Sequence, residues 1–199
     1  MEIRSAVVGK MTNNAYLLVD AGEGLLIDAA DDPVALLALI GDTPVHTIVT
    51  THRHPDHVQA LAAMAAHTGA RLVAGTPDAD AIESATGVTI DQRVWDGDTL
   101  RVGNTGLTVV GLVGHTPGSI ALIHSPDEGH AHVFSGDSLF PGGPGRVIRP
   151  EDFDSLMTDL ERKLFDRFPA DTIVHPGHGA STTLGDERPH LPEWWARRW

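Results

Sequence analysis

Four side chains that can bind metal ions occur within one short segment, Thr51-His52-Arg53-His54-Pro55-Asp56-His57. In an extended backbone, positions two apart point to the same side, so His52 and His54 can converge on one ion. Where the chain turns into a following helix, Asp56 and His57 project differently and can reach a second ion. Taken singly, a histidine is more often an ordinary polar residue, and Asp56 could cap a helix. The spacing of all four predicts two adjacent metal half-sites.

Three further candidate ligands lie on glycine-containing turns that follow apolar segments. They are His115 in residues 114–118, Asp137 in residues 135–138 and His178 in residues 176–179. Glycine allows a close approach of the backbone and a positive φ, which helps to present a ligand at the end of a sheet. Alone, Asp137 could be a turn residue and each histidine a surface residue. With the first motif present, we predict a two-metal centre with these candidate ligands: His52, His54, Asp56, His57, His115, Asp137 and His178.

Nitrogen and oxygen ligands of this kind can hold two divalent ions and leave room for a bridging water. Binding to a metal lowers the pKa of water from about 15.7 towards about 7, which gives hydroxide at neutral pH without a protein nucleophile. The hydroxide would attack an ester, thioester or amide carbonyl, while the ions stabilise the oxyanion and the leaving group. Asp56 is the candidate proton acceptor. Asp28 either orients the His52 loop or is a turn carboxylate.

The composition narrows the classes of function. The 199 residues include 27 acidic and 14 basic side chains, and the net charge of -13 opposes binding to a phosphate backbone, so no nucleic-acid partner is expected. Cysteine is absent, which excludes thiolate nucleophiles and thiolate zinc sites. No apolar stretch approaches the ~18 residues that cross a bilayer, and residues 1–5 carry no signal pattern. We expect one domain, residues 1–199, in a cytoplasmic protein with no membrane partner; the oligomeric state stays open.

A mixed set of strands and helices must position the candidate ligands. A strand is predicted at residues 46–50, directly before the first motif, and a helix from about residue 56 to residue 68, ended by Gly69. Asp32 and Pro33 predict the start of a helix over residues 34–40. The other predicted elements are the hairpin strands 14–20 and 25–29, the strands 71–74, 108–113, 119–124, 131–135 and 172–175, and the helices 77–86 and 150–168. Their order indicates two sheets packed face to face, although periodicity alone gives only a mixed α/β class.

Two further segments are distinguished by their residue types. Residues 142–146 are rich in glycine and predict a mobile loop beside the candidate metals, in which Arg146 either contacts an anionic substrate or is solvated; solvation is favoured. The C-terminal tryptophans are predicted to pin the tail to the body, or to form a subunit contact, rather than to recognise substrate. These are Trp194, Trp195 and Trp199.

Taken together, the motifs resemble the metallo-β-lactamase superfamily and, within it, the short glyoxalase II-like hydrolases. The resemblance covers nearly the whole chain, and it is carried by residues 13–17, 26–28, 51–57, 114–118, 136–140 and 176–179. It implies an α/β fold, an αββα sandwich of two mixed sheets with helices on the outer faces and the site at one edge. It also implies a ligand set in which metal 1 is held by His52, His54 and His115, metal 2 by Asp56, His57 and His178, and both by the bridging Asp137.

The function implied by the resemblance is that of a binuclear metallohydrolase, which uses a metal-bridging hydroxide to attack a thioester or ester of a small-molecule acyl substrate, as a hydroxyacylglutathione hydrolase does. Zn²⁺ is the expected metal, with Fe or Mn as alternatives. Asp137 stands where common class B β-lactamases carry a cysteine, which argues against antibiotic hydrolysis. The alternative is a persulfide dioxygenase-like oxidoreductase with one iron on His52, His115 and Asp137, because two histidines and one carboxylate are characteristic of oxygen-activating Fe(II).

Overall fold

The computed structural model describes residues 1–198 and contains two six-stranded sheets. In the first sheet the strands lie in sequence order; β1 to β3 are antiparallel and β3 to β6 are parallel. Each parallel pair is joined by a helical crossover, as parallel strands require. The strands are β1 (Glu2–Val8), β2 (Asn13–Asp20), β3 (Glu23–Ile27), β4 (Val45–Thr50), β5 (Arg71–Gly75) and β6 (Gln92–Val94).

The second sheet has the order β14-β13-β10-β9-β8-β7. Only the pair of β10 and β13 is parallel, so this sheet is also mixed. Its strands are β7 (Thr99–Val102), β8 (Thr105–Gly111), β9 (Ile120–His124), β10 (His132–Gly136), β13 (Ile173–Pro176) and β14 (Thr182–Thr183). A separate two-stranded hairpin follows β10 and consists of β11 (Leu139–Phe140) and β12 (Gly143–Pro144).

Alternation along the strands produces three apolar layers. Leu18 and Leu25 of the first sheet pack with Leu122 of the second in the central layer, while their neighbours Leu17 and Leu26 face outward. Because successive strand residues point to opposite faces, one apolar run can fill two layers. This arrangement joins the sheets face to face.

Helices cover both outer faces of the sandwich. The first sheet is covered by α1 (Pro33–Ile40), α2 (Leu61–Thr68) and α3 (Thr76–Thr86), and the second by α4 (Pro150–Asp159), α5 (Leu184–Glu187) and α6 (Leu191–Arg197). Asp32 caps α1 as the sequence predicts, since its side chain accepts a hydrogen bond from the Ala35 amide at 3.1 Å. The predicted αββα sandwich of two mixed sheets is therefore confirmed. No helix in the described part of the chain is long and apolar enough to cross a membrane.

The prediction of one continuous helix over residues 56–68 was wrong. A short 3-10 helix, Pro55–His57, comes first, and α2 begins only at Leu61. Between them the backbone bonds to the segment after β3 instead of to its own preceding turn: the Gln59 amide donates to the Ala30 carbonyl and the Ala60 amide to the Ala29 carbonyl. Similarly, the predicted helix 150–168 is α4 followed by a π-helix, Leu160–Phe165.

Aromatic packing attaches the C-terminal tail to the second sheet's outer layer. The Trp194 side chain is 1% exposed, and its ring centroid lies 6.2 Å from that of Phe165. Trp195 packs edge-on against Phe153 at 5.8 Å and donates to the Glu161 carboxylate. These two residues pin the tail as predicted, whereas Trp199 lies outside the described residues.

We expect Trp194→Ala to lower the free energy of unfolding by about 3–5 kcal/mol, the usual cost of removing a fully buried large aromatic side chain. Urea unfolding followed by circular dichroism measures this change. Val34→Ala is the control, because Val34 is apolar but 76% exposed, and its effect should be within about 0.5 kcal/mol. Equal effects of the two substitutions would contradict the role assigned to Trp194.

Candidate metal centre

The seven predicted ligands lie at one end of the sandwich, where strands give way to loops. His52 comes two residues after β4, and Asp137 directly follows β10. His115 lies on the loop after β8, and His178 lies two residues after β13. An isolated bridge between Asn13 and His178 joins the start of β2 to the same end. The structure thus brings all seven side chains together, and their role as ligands stays a prediction.

The first group of side chains consists of His52, His54 and His115. The Nε2 atom of His52 lies 3.1 Å from Nδ1 of His54 and 3.3 Å from Nε2 of His115. One ligand atom from each residue lies within 4.8 Å of the others. His52 is buried, and the other two are half-buried. The three nitrogens can therefore share one ion.

The second group consists of Asp56, His57 and His178. Nε2 of His178 lies 3.3 Å from both Oδ2 of Asp56 and Nε2 of His57, and the distance from Nε2 of His57 to Oδ2 of Asp56 is 3.6 Å. These atoms also lie within 4.8 Å of one another. A second ion can be held beside the first.

Asp137 lies between the two groups. Its Oδ1 atom is 3.4 Å from Nε2 of His57, and its Oδ2 atom is 3.5 Å from Nε2 of His178 and 3.7 Å from Nε2 of His115. Oδ1 is buried without a hydrogen-bond donor. A carboxylate so placed can contact ions in both groups.

Hydrogen bonds on the far side of the imidazole rings show why these residues fit metal ions. Nδ1 of His115 donates to the Arg146 carbonyl at 2.7 Å, and Nδ1 of His178 donates to the Met11 carbonyl at 3.0 Å. A carbonyl can only accept, so the proton is on Nδ1, and Nε2 of the neutral ring carries a lone pair. Metal-binding histidines characteristically have their other nitrogen bonded in this way.

His52 and His57 are oriented by Asp28 and Thr51. Asp28 is 1% exposed and accepts hydrogen bonds from Nδ1 of His57 at 2.8 Å, from the Thr51 amide at 2.7 Å and from the Thr51 hydroxyl at 2.8 Å. Because the hydroxyl donates to Asp28, it accepts from Nδ1 of His52, 3.1 Å away. Asp28 thus contacts the ring of His57 and the loop that carries His52, rather than acting only as a turn carboxylate.

The charges of the cluster favour a cation at its centre. Burial lowers the pKa of His57, but the Asp28 and Asp137 carboxylates outweigh it and raise the pKa to about 10. Burial raises the pKa of Asp137, but the adjacent His178 and His57 outweigh it, and the pKa lies well below the usual range. Burial and the neighbouring His57 lower the pKa of His52. The carboxylates that stabilise a proton on His57 would equally stabilise a divalent ion in its place.

Asp78 is a site residue that the sequence did not reveal. It lies in the first turn of α3, is fully buried, and accepts hydrogen bonds from the Arg53 amide at 3.0 Å, the Gly118 amide at 2.9 Å and the Thr116 hydroxyl at 2.6 Å. It therefore connects the loop of His52 and His54 to the loop of His115. In the sequence, Asp78 resembles any acidic residue in the first turn of a helix, so no local signal marks it.

Asn13 was also given no role by the sequence. Its side-chain amide donates to Oδ2 of Asp56 at 2.9 Å and lies 3.3 Å from Nε2 of His178. In the sequence, the only indication of a role for Asn13 was its place in the motif at residues 13–17, which contributes to the family resemblance. Asn13 limits the freedom of the Asp56 carboxylate.

Comparisons with known proteins agree with this geometry. The family model described as the metallo-β-lactamase superfamily matches residues 8–178. A hydroxyacylglutathione hydrolase of Cereibacter sphaeroides is 36% identical over 169 residues, which cover 83% of this chain and 62% of that protein. The chain thus spans about three-fifths of the length of this relative.

Solved structures with the same fold include three that cover nearly the whole chain. The BLEG-1 B3 metallo-β-lactamase has a TM-score of 0.83 and 27% identity, covering 96% of this chain and 99% of its own. ETHE1 from Myxococcus xanthus has a TM-score of 0.81 and 28% identity, covering 96% and 84%. TTHA1623, in a di-iron-bound form, has a TM-score of 0.76 and 32% identity, covering 93% and 96%.

We expect Asp78→Asn to weaken metal binding by the first group about 10–100-fold, the usual effect of removing a group that orients ligands. An amide offers one acceptor oxygen to three donors, so the two loops lose their common anchor. Competition with a chromophoric chelator measures the affinity for each of the two ions. Only one of the two affinities should change, that of the ion held by the first group. Asp80→Asn is the matched control, because Asp80 is on the same helix and its side chain is 84% exposed. Unchanged affinities in Asp78→Asn would contradict the assignment.

Proposed function

This chain belongs to the metallo-β-lactamase superfamily, and we propose that it is a binuclear metal-dependent hydrolase that cleaves a thioester or ester of a small-molecule acyl compound. The observation that carries the proposal is the convergence of the Nε2 atoms of His52, His57, His115 and His178 around the Asp137 carboxylate. Zn²⁺ is the proposed metal, with Fe or Mn as alternatives, since the family binds divalent metals and one solved neighbour is di-iron-bound. Hydroxyacylglutathione is the first substrate to test, because the relative so named is 36% identical.

Bound divalent ions would supply a water of lowered pKa and an electrophile for the substrate carbonyl. The chain's own residues complete the reaction. Burial raises the pKa of Asp56, but the Asn13 amide and His57 outweigh it and lower the pKa, so the carboxylate is ionised at neutral pH. Asp56 can therefore accept a proton from water as the oxygen bonds to the acyl carbon. The carbon–sulfur or carbon–oxygen bond breaks, and the proton passes from Asp56 to the departing thiolate or alkoxide.

The second candidate function is that of a mononuclear iron persulfide dioxygenase-like oxidoreductase. It is favoured by the positions of His52, His115 and Asp137: Nε2 of His115 lies 3.3 Å from Nε2 of His52 and 3.7 Å from Oδ2 of Asp137. This reading leaves Asp56, His57 and His178 without a role, although they are as closely grouped as the first three. The hydrolase accounts for both groups.

We expect the zinc-loaded protein to contain two metal ions per chain and to hydrolyse at least one compound in a panel of thioesters, esters and lactones, and we expect the iron-loaded protein to consume no oxygen with a persulfide. Elemental analysis, thiol release and an oxygen electrode measure these properties. His54→Ala should lose one of the two ions and most of the activity, because it removes a nitrogen from the first group. His130→Ala is the control, since His130 is exposed and bonds to Asp171. Activity that survives His54→Ala would contradict the proposed site.

Asp56→Asn should lower kcat/KM about 10²–10⁴-fold at neutral pH, the range for loss of a positioned proton acceptor. Metal content is measured in the same sample, because the substitution also alters a ligand. Added metal should therefore restore the occupancy of the site but not the rate. Asp80→Asn, an exposed carboxylate on α3, should leave kcat/KM within about twofold. Full activity of metal-replete Asp56→Asn would assign proton transfer to another group.

A further inference from the structure

A cavity of about 420 Å³ opens beside the metal centre. It is formed by the hairpin of β11 and β12 and the residues that follow it. Its volume lies within the range of about 300–1,000 Å³ that is usual for small-molecule sites. It is lined by Phe140, Pro141, Gly142, Gly143, Pro144, Gly145 and Arg146.

The walls of this cavity contact three of the proposed ligands. The Arg146 carbonyl accepts the hydrogen bond from His115, and the ring centroid of Phe140 lies 6.5 Å from that of His178. A Cβ atom at Gly145 would lie 1.7 Å from the backbone carbonyl oxygen of Asp137, so the backbone at Gly145 packs directly against that of Asp137. A group in the cavity is therefore next to the carbonyl that the centre would bind.

The hairpin is fixed by the C-terminal segment. The Gly142 amide donates to the Glu187 carboxylate at 2.9 Å, and the Gly142 carbonyl accepts from the Arg197 guanidinium at 3.2 Å. Glu187 is 5% exposed and is itself bonded to the Thr182 hydroxyl at 2.7 Å. These bonds hold a segment that the sequence predicts to be mobile, so the cavity is preformed.

The lining of this cavity is mostly apolar. One aromatic ring, two proline rings, three glycines and Arg146 form the cavity, and among the described residues no carboxylate or hydroxyl side chain lines it. A second cavity of about 280 Å³, lined by His115 itself, includes Arg53, Arg149 and Asp152. A bound thioester thus has one apolar and one polar environment. Biological thiol carriers bear amide, carboxylate or phosphate groups, which suit the polar side.

We infer that the apolar cavity binds the acyl group of the substrate, and that the preferred substrates are thioesters or esters of apolar carboxylic acids, such as medium-chain fatty acids. This inference rests on the proposed hydrolase. Each buried methylene contributes about fourfold to kcat/KM, the fold-change that corresponds to ~0.8 kcal/mol. A series of substrates with one thiol and increasing acyl length therefore tests the cavity directly.

The zinc-loaded protein is assayed with acetyl, butanoyl, hexanoyl, octanoyl and decanoyl thioesters of N-acetylcysteamine. We expect kcat/KM to rise by about two orders of magnitude from acetyl to hexanoyl and to level off or fall once the cavity is filled. A second series carries the alkyl chain on the thiol, with a constant acetyl group. Equal rates along the acyl series, or a chain-length effect only along the thiol series, would overturn the inference while leaving the hydrolase intact.

Binding of the product acids provides a readout that needs no turnover. Calorimetry with the same zinc-loaded protein should give tighter binding of octanoate than of acetate, with a negative heat-capacity change from burial of apolar surface. If octanoate binds in this way but no thioester is hydrolysed, the proposed function fails and the cavity assignment stands. If octanoate binds no better than acetate, the cavity assignment fails.

Substitutions in the cavity test whether it binds the acyl group. The readout is the ratio of kcat/KM for the hexanoyl and acetyl thioesters, which does not depend on the fraction of protein that is folded. Phe140→Gln should lower the hexanoyl-to-acetyl ratio of kcat/KM about tenfold, whereas Phe140→Leu should retain most of it. Pro141→Ser should lower the ratio in the same direction, and because Pro141 is exposed this variant is safe for folding. Val34→Gln, at an exposed apolar position on α1, should leave the ratio unchanged. An unchanged ratio in both Phe140→Gln and Pro141→Ser would overturn the inference.

Discussion

The position of one proton on each imidazole ring determines what this end of the sandwich can do. Nδ1 of His115 and of His178 donates to a backbone carbonyl, Nδ1 of His57 donates to Asp28, and Nδ1 of His52 donates to the Thr51 hydroxyl. With each Nδ1 bonded on the outside, the Nε2 atoms point inward at separations near 3.3 Å. Lone pairs at that distance repel one another unless a cation or proton lies between them. The sheets, loops and buried carboxylates all act to keep the rings in this arrangement.

Two buried aspartates share the work of holding the loops. Asp28 directly follows β3 and binds Thr51 and His57, whereas Asp78 reaches from α3 to the amides of Arg53 and Gly118. Each carboxylate satisfies donors that would otherwise be buried without partners, so removing either leaves a loop unsupported as well as a ring disoriented. The candidate metal centre is therefore built on anchors that are themselves part of the core.

The sequence predicts local features well and distant contacts poorly. The order of the strands and helices indicated two packed sheets. The spacing of His52 and His54 predicted their approach, because it follows from local backbone geometry. The start of α2 was misplaced because the amides of Gln59 and Ala60 bond to residues about 30 positions earlier in the chain. Asp78 was missed for the same reason, since its partner Gly118 lies 40 residues away.

The residues that would hold the metals and those that would choose the substrate depend on different parts of the chain. The ligands follow strands of both sheets, and their motifs are legible in the sequence. The cavity is formed by one short hairpin, whose Gly142 is bonded on both sides by Glu187 and Arg197 of the C-terminal segment. A change in that segment can therefore reshape the cavity without moving a ligand. This separation explains why the ligand motifs predict the reaction class but leave the acyl group open, and why the acyl group has to be inferred from the shape and lining of the cavity.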